Sequence, residues 1–273
     1  MIRNAPASMP GPTCAMAPLA FITGASSGIG QALAVRYAQD GWRLALVARR
    51  ADLLQDWVRA QGLGPERAAV YAADVADIDA IVAAGRACLE AQGLPDAVIA
   101  NAGISIGMDT AQREDLDLMT RTFAVNNVGV AATFHPFIGP MIQRGAGTLV
   151  GIASVAGIRG MPGHGAYCAS KAAVISYCES LRGELKPRGV RVVTISPGYI
   201  DTPLTSRNRY PMPFLMAPDD FAERAVRAIA AGVPHRVIPW PMAIVAALLR
   251  VLPAAWLDRL LAGRPRKQRQ GET

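Results

Sequence analysis

An unbroken apolar run, Leu19 to Thr23, turns on Gly24-Ala25-Ser26-Ser27-Gly28-Ile29-Gly30 and passes directly into an amphipathic stretch, Gln31 to Gln39. That is strand, tight turn and helix, with no room for a hairpin. A strand without polar alternation has to be covered on both faces, and helices that follow each strand provide the cover. The pattern then repeats. Arg43 to Ala48 is a second apolar run, followed by a helix from Asp52 to about Ala60. Ala68 to Val75 precedes a helix from Asp77 to Gln92, and Ala97 to Ala100 leads into Asn101-Ala102-Gly103. The predicted fold class is therefore α/β, a single domain with a doubly wound parallel sheet.

The second half keeps the alternation. Glu114 to about Gln143 is predicted as one long helix, bent or shortened by Pro136 and Pro140. Thr148 to Ala153 is a strand that delivers Ser154, a helix runs from about Gly165 to Lys186, and Val190 to Ile195 is a further strand. Ser196 to Ala217 is a proline-containing excursion whose apolar residues, Tyr210, Met212, Phe214, Leu215 and Met216, suit either a flap over an apolar substrate or packing on the sheet. Asp219 to Ala230 is helical, and Arg236 to Ile238 is a last short strand.

Three groups of residues carry chemistry. Gly24, Gly28 and Gly30 lie between a buried strand and a helix N-terminus, where backbone N–H groups and positive potential suit a pyrophosphate. The second strand ends in Ala48-Arg49-Arg50 with no acid before Asp52. A carboxylate there would repel a 2′-phosphate, whereas a guanidinium pairs with it, so the expected cofactor is NADP(H), with Arg49 as the main contact. Tyr167 and Lys171 stand at i and i+4 on one helix face, where an ammonium is expected to lower the phenol pKa. Ser154, arriving from the preceding strand, adds a second donor toward a carbonyl oxygen.

The ordered set Thr23-Gly24-Ala25-Ser26-Ser27-Gly28-Ile29-Gly30, Asp74-Val75, Asn101-Ala102-Gly103, Val125-Asn126-Asn127-Val128-Gly129, Ser154, Tyr167-Cys168-Ala169-Ser170-Lys171 and Pro197-Gly198 resembles the single-domain branch of the short-chain dehydrogenase/reductase family. The resemblance covers residues 17 to about 240 and implies a Rossmann-type sheet of about seven strands. It implies that Tyr167 is the acid in reduction and the base in oxidation, that Lys171 binds the nicotinamide ribose and tunes Tyr167, and that Ser154 orients the substrate oxygen. Asn126 would hold a proton-relay water. Ser26, Ser27 and Ile29 belong to the phosphate turn; Asp74 and Val75 would flank the adenine, with Asn101, Ala102 and Gly103 as the wall beside it. Pro197, Gly198, Ile200 and Thr202 would meet the nicotinamide carboxamide. Ala100 stands where many relatives have a second asparagine. The implied protein is an oxidoreductase acting on a CH–OH group, with an apolar small-molecule substrate, no nucleic-acid partner, and a homodimeric or homotetrameric state built on the helices that begin near Glu114 and Gly165. A non-catalytic NADP(H) sensor and a membrane-surface lipid or fatty-aldehyde reductase are the alternatives.

Composition narrows the rest. Half of the 273 residues are hydrophobic and 18% are charged, as in a folded globular chain. The formal charge is +7, and part of it is local, since Arg264, Arg266, Lys267 and Arg269 face only Glu272 in the last ten residues. Cys14, Cys88, Cys168 and Cys178 show no metal or disulfide spacing, which predicts reduced thiols, no metal, and a cytoplasmic enzyme. Residues 1–17 are expected to be a disordered leader, 18–240 the catalytic domain, 241–263 a helical extension and 264–273 a basic disordered tail. The eleven residues between Pro241 and Pro253 are too few for a bilayer span of about 20. Packing on the protein is expected for this segment, with an oligomer contact or a peripheral membrane contact as alternatives.

Overall fold

Leu19–Thr23 forms β1, and its side chains alternate between two apolar layers. Ala20 and Ile22 join the cluster on one side of the sheet, while Leu19 and Phe21 join the other. The computed structural model describes residues 16–206, 208, 210–263, 267 and 269, so most of the expected leader and tail lies outside the described residues. The further strands are β2 (Arg43–Ala48), β3 (Ala68–Ala72), β4 (Ala97–Ala100), β5 (Thr148–Ile152), β6 (Arg191–Pro197) and β7 (His235–Ile238). They pair in parallel in the order β3-β2-β1-β4-β5-β6-β7.

Helices cover both faces of this seven-stranded sheet. On one side lie α1 (Gly28–Gln39), α2 (Ala51–Ala60) and, later in the chain, a helix over Pro218–Ala230. On the other lie α3 (Ile78–Ala91) and the helices Gly129–Arg144 and Gly165–Leu185. The fold is thus a Rossmann-type, doubly wound α/β domain. The order of strands reverses between β1 and β4, so the chain leaves these neighbouring strands in opposite directions and opens a crevice at their C-terminal ends.

The long helix predicted from Glu114 is broken, but not at its prolines. It divides into α4 (Arg113–Phe123), one π-helical turn over Ala124–Val128, and α5 (Gly129–Arg144), which contains both Pro136 and Pro140. Pro136 is accommodated because its ring faces Gly85 of α3, where a Cβ would come within 2.7 Å of Pro136 Cγ. The π turn instead re-aims Asn126, which is fully buried and bonded across to the segment after β4.

The remaining helices are α6 (Gly165–Leu185), α7 (Pro218–Ala230), α8 (Trp240–Val251) and α9 (Ala254–Leu261). The extension expected to pack on the body does so with one face only. Met242 and Ala246 of α8 and Leu257 of α9 are buried, whereas Trp240, Ile244, Leu248, Val251, Trp256 and Leu260 are exposed.

Candidate active site

The glycine turn packs so closely that its side-chain-free positions are required. Gly24 has φ +66°, and a Cβ on it would stand 2.8 Å from Ala102 Cα. A Cβ on Gly30 would collide with the Gly24 carbonyl and lie 2.5 Å from Asn101 Nδ2. Asn101 completes the join, its Nδ2 donating to the carbonyls of Thr23 at 3.0 Å and Gly24 at 3.3 Å. Ser27 is the N-cap of α1, with extended backbone, and its side chain does not cap the first N–H groups of the helix. A backbone cradle at a helix N-terminus fits a dinucleotide pyrophosphate.

The sequence missed the residue that braces this cradle. Thr23 is buried, and its Oγ1 accepts from Asn101 N at 3.1 Å and Ala102 N at 3.2 Å while donating to Ile99 O at 3.4 Å. One hydroxyl therefore ties the end of β1 to the end of β4 across the crevice. Its place at the head of the glycine turn was the available signal.

At the end of β2, Arg49 is well exposed and approaches Asp74, with Nη1 3.7 Å from Oδ2. Arg49, Arg50, Asp74, Val75, Ala102 and Gly103 all line one cleft of about 420 Å³ together with Ser26, Ser27, Gly28 and Ile29. The same cleft reaches Ser154, Tyr167, Lys171, Pro197, Gly198, Ile200 and Thr202. Arg121, which α4 contributes to the wall, had no signal in the sequence. Thr205 fixes the far rim, accepting from Thr202 N at 3.0 Å and donating to Ile200 O. Of the flap residues, Met216 packs against the core and bridges to Ile200, while Phe214 and Leu215 are exposed. His164 lies outside this cleft lining and meets Tyr210 Oη at 3.3 Å.

Ser154, Tyr167 and Lys171 are brought into one cleft by β5 and α6. Ser154 lies two residues past β5 and accepts from Ala156 N at 3.1 Å, which leaves its hydroxyl hydrogen for another acceptor. Lys171 is buried and donates to Ile152 O at 2.9 Å, with Nζ 5.9 Å from the centre of the Tyr167 ring. Burial pushes the Lys171 pKa down to about 8. The expected lowering of the Tyr167 pKa is corrected by the structure. Burial raises it to about 12, and the hydrogen bond with Ser154 opposes that rise without overcoming it. Desolvation of the phenolate is the largest cause, and the neighbouring Cys168 adds to the rise.

Asn126 braces the trio from behind. Its Nδ2 donates to Ile104 O at 3.0 Å and Ser170 Oγ at 2.9 Å, and its Oδ1 accepts from Ile104 N at 2.9 Å. Ser170 Oγ in turn donates to Tyr167 O at 2.8 Å. Ser170, passed over as part of the Tyr-x-x-x-Lys string, thus links the π turn to the helix turn that carries the phenol. Among the described residues no group of three or more His, Cys, Asp or Glu side chains could hold a metal ion.

Two residues of the basic tail are placed against the body. Lys267 Nζ donates to Ser105 Oγ at 2.9 Å, and Arg269 Nε donates to the buried Asp115 at 2.7 Å. That pairing and the Asp109 N–H hold the Asp115 carboxyl below its usual range. Asp115 lies in the first turn of α4, whose positive end it faces, and its carboxylate also receives these donors.

A sequence model of the short chain dehydrogenase family matches residues 18–212. The chain belongs to this family. It is 40% identical over 243 residues to an uncharacterized oxidoreductase of Myxococcus xanthus, covering 88% of this chain and 94% of that one. An alcohol dehydrogenase from Thermococcus sibiricus, solved with 5-hydroxy-NADP, superposes with a TM-score of 0.70 at 29% identity over 81% of this chain and 95% of that one. A 3-ketoacyl-(acyl-carrier-protein) reductase from Brucella melitensis, solved with NADH, gives 0.71 at 29% identity over 81% and 96%. Membership makes the protein an oxidoreductase of a family that uses nicotinamide cofactors.

Proposed function

We propose that this protein interconverts a carbonyl and an alcohol with NADP(H), on an apolar small-molecule substrate. The observation that carries the reading is a single cleft joining the glycine turn to Ser154, Tyr167 and Lys171. The solved neighbours include both an NADP-type and an NADH complex, so the choice rests on Arg49 at the end of β2, with no acid in its place.

The cradle of Gly24, Ser26, Ser27, Gly28, Ile29 and Gly30 would hold the pyrophosphate, with Arg49 on the 2′-phosphate. Asp74, Val75, Asn101, Ala102 and Gly103 would border the adenine side, and Pro197, Gly198, Ile200 and Thr202 the carboxamide. A bound nicotinamide supplies hydride in reduction and accepts it in oxidation. Ser154 Oγ, oriented by the Ala156 N–H, donates to the substrate oxygen. Tyr167, protonated across the neutral range because its pKa is near 12, passes its proton to that oxygen as negative charge builds there. In oxidation the phenolate takes the proton back. Lys171, poised near 8, is a cation at neutral pH that stabilises the phenolate as it forms. Asn126 acts through Ser170 to keep Tyr167 in place, and the family resemblance would give it a proton-relay water as well.

The family resemblance supports a homodimer or homotetramer through α4, α5 and α6, and Leu116 and Val128 are exposed on that side. No helix among the described residues is long and apolar enough to cross a membrane. The cytoplasmic reading rests on cysteines without disulfide or metal spacing.

The test is NADPH oxidation with steroid, fatty-aldehyde, sugar and quinone carbonyls, with Tyr167→Phe as control. Turnover on an apolar carbonyl that drops at least about a hundredfold in Tyr167→Phe, within the range of general acid catalysis, supports the reading. Cofactor binding without turnover on any of them would make the protein a sensor. Arg49→Asp should move the preference in kcat/KM from NADPH toward NADH, and unchanged discrimination would remove the phosphate role.

A further inference from the structure

A helix that is apolar all round belongs in a core, yet α8 is only half covered. At about 100° per residue, Trp240, Ile244, Ala247, Leu248 and Val251 share one face, and all five are exposed, Val251 by 79% and Trp240 by 67%. The opposite face carries Met242 and Ala246 into the body, where Met242 packs against Gly198 at the cleft. Two residues after α8, α9 continues the surface with Trp256, 66% exposed, and Leu260, 46% exposed, one turn apart. Arg159 Nη2 donates to Leu252 O at 3.0 Å and pins the corner between the two helices beside the segment after Ser154.

Cations border this surface. By helical spacing Arg250 flanks the apolar face of α8, and Arg259 flanks Trp256 and Leu260, while Asp258 projects to the far side of α9. We propose that the α8–α9 surface is a docking site for a membrane interface rich in anionic lipid, with the two tryptophans at headgroup depth and the aliphatic residues beneath. Aromatic side chains with one apolar and one polar end partition to that zone, and arginines reach from it to phosphate. A second copy of the chain fits less well, because a two-fold axis through the patch would set Arg250 and Arg259 near their own counterparts. The cleft lies behind the docked helix at Gly198, so attachment would hold the active site beside the bilayer. This inference stands apart from the identity of the substrate and of the cofactor.

The experiment is co-sedimentation of the full chain with phosphatidylcholine vesicles and with vesicles containing 30% phosphatidylglycerol, compared with Leu248→Glu/Val251→Glu and with Arg250→Ser/Arg259→Ser. The expected result is binding to the anionic vesicles, at least tenfold weaker for the glutamate variant and reduced toward the neutral-vesicle level for the serine variant. Both variants change exposed residues, and circular dichroism with thermal melting checks that they fold. Absence of binding to either vesicle overturns the proposal. So does equal binding to neutral vesicles, or binding that both variants retain. Vesicle-independent self-association that disappears in Leu248→Glu/Val251→Glu assigns the surface to a second copy and likewise overturns it.

Discussion

Replacing Thr23 with valine tests whether one hydroxyl holds the crevice together. Valine keeps the shape, so no cavity forms, but the N–H groups of Asn101 and Ala102 lose the acceptor now 3.1 and 3.2 Å away. An orphaned donor costs about 1–3 kcal/mol when buried, and these two are only partly buried, so about 1 kcal/mol each applies. The weaker bond to Ile99 O, at 3.4 Å, adds little. The expected loss is about 2 kcal/mol, and for a chain of this size that lowers the melting temperature by roughly 4–8 °C. Cofactor affinity should fall as well, since Asn101 flanks the glycine turn. Denaturant titration and NADPH titration of wild type, Thr23→Val and Thr23→Ser read both effects. The serine variant keeps the hydroxyl and should keep its NADPH affinity. Wild-type stability and wild-type affinity in Thr23→Val would refute the bracing role.

Gly30→Ala places a methyl against the Gly24 carbonyl and Asn101, so NADPH should bind at least about tenfold more weakly, the equivalent of 1.4 kcal/mol; equal affinity by calorimetry would show that the turn has slack. Lys171 gives a pH signature. Its folded pKa, near 8, lies below the usual lysine value, so below pH 8 the buried ammonium costs stability, and between about pH 8 and 10 that cost fades as the folded protein releases its proton first. Lys171→Met should therefore be stabilised relative to wild type more at pH 7 than at pH 9.5. A pH-independent difference in denaturant midpoints would mean that Lys171 titrates normally.

Much of the architecture was legible because burial on both faces leaves uninterrupted apolar strands. β1, β2 and β4 match the residues read from the sequence end to end. The break at Ala124–Val128 was not legible, because nothing in Val-Asn-Asn-Val separates a π turn from ordinary helix until Asn126 finds Ile104 across the crevice. The prolines misdirected the reading, since the space opposite Pro136 depends on Gly85 of another helix. The positions of Ser154, Tyr167 and Lys171 in one cleft follow from their spacing. The phenol pKa does not, because desolvation is set by everything that surrounds the ring. In the same way, apolarity on nearly all sides of α8, Arg250 excepted, predicts burial, and only the packed structure reveals the uncovered half.

The carbonyl that seats the Lys171 ammonium belongs to Ile152, two positions before Ser154 on the same stretch of backbone. A common datum therefore governs hydroxyl and amine, and the phenol follows because α6 carries it one turn from the amine. Slippage of β5 along its neighbour, where Val150 now faces Val193, would carry away all of them at once. Damage to this ladder should thus abolish turnover abruptly instead of detuning it by degrees.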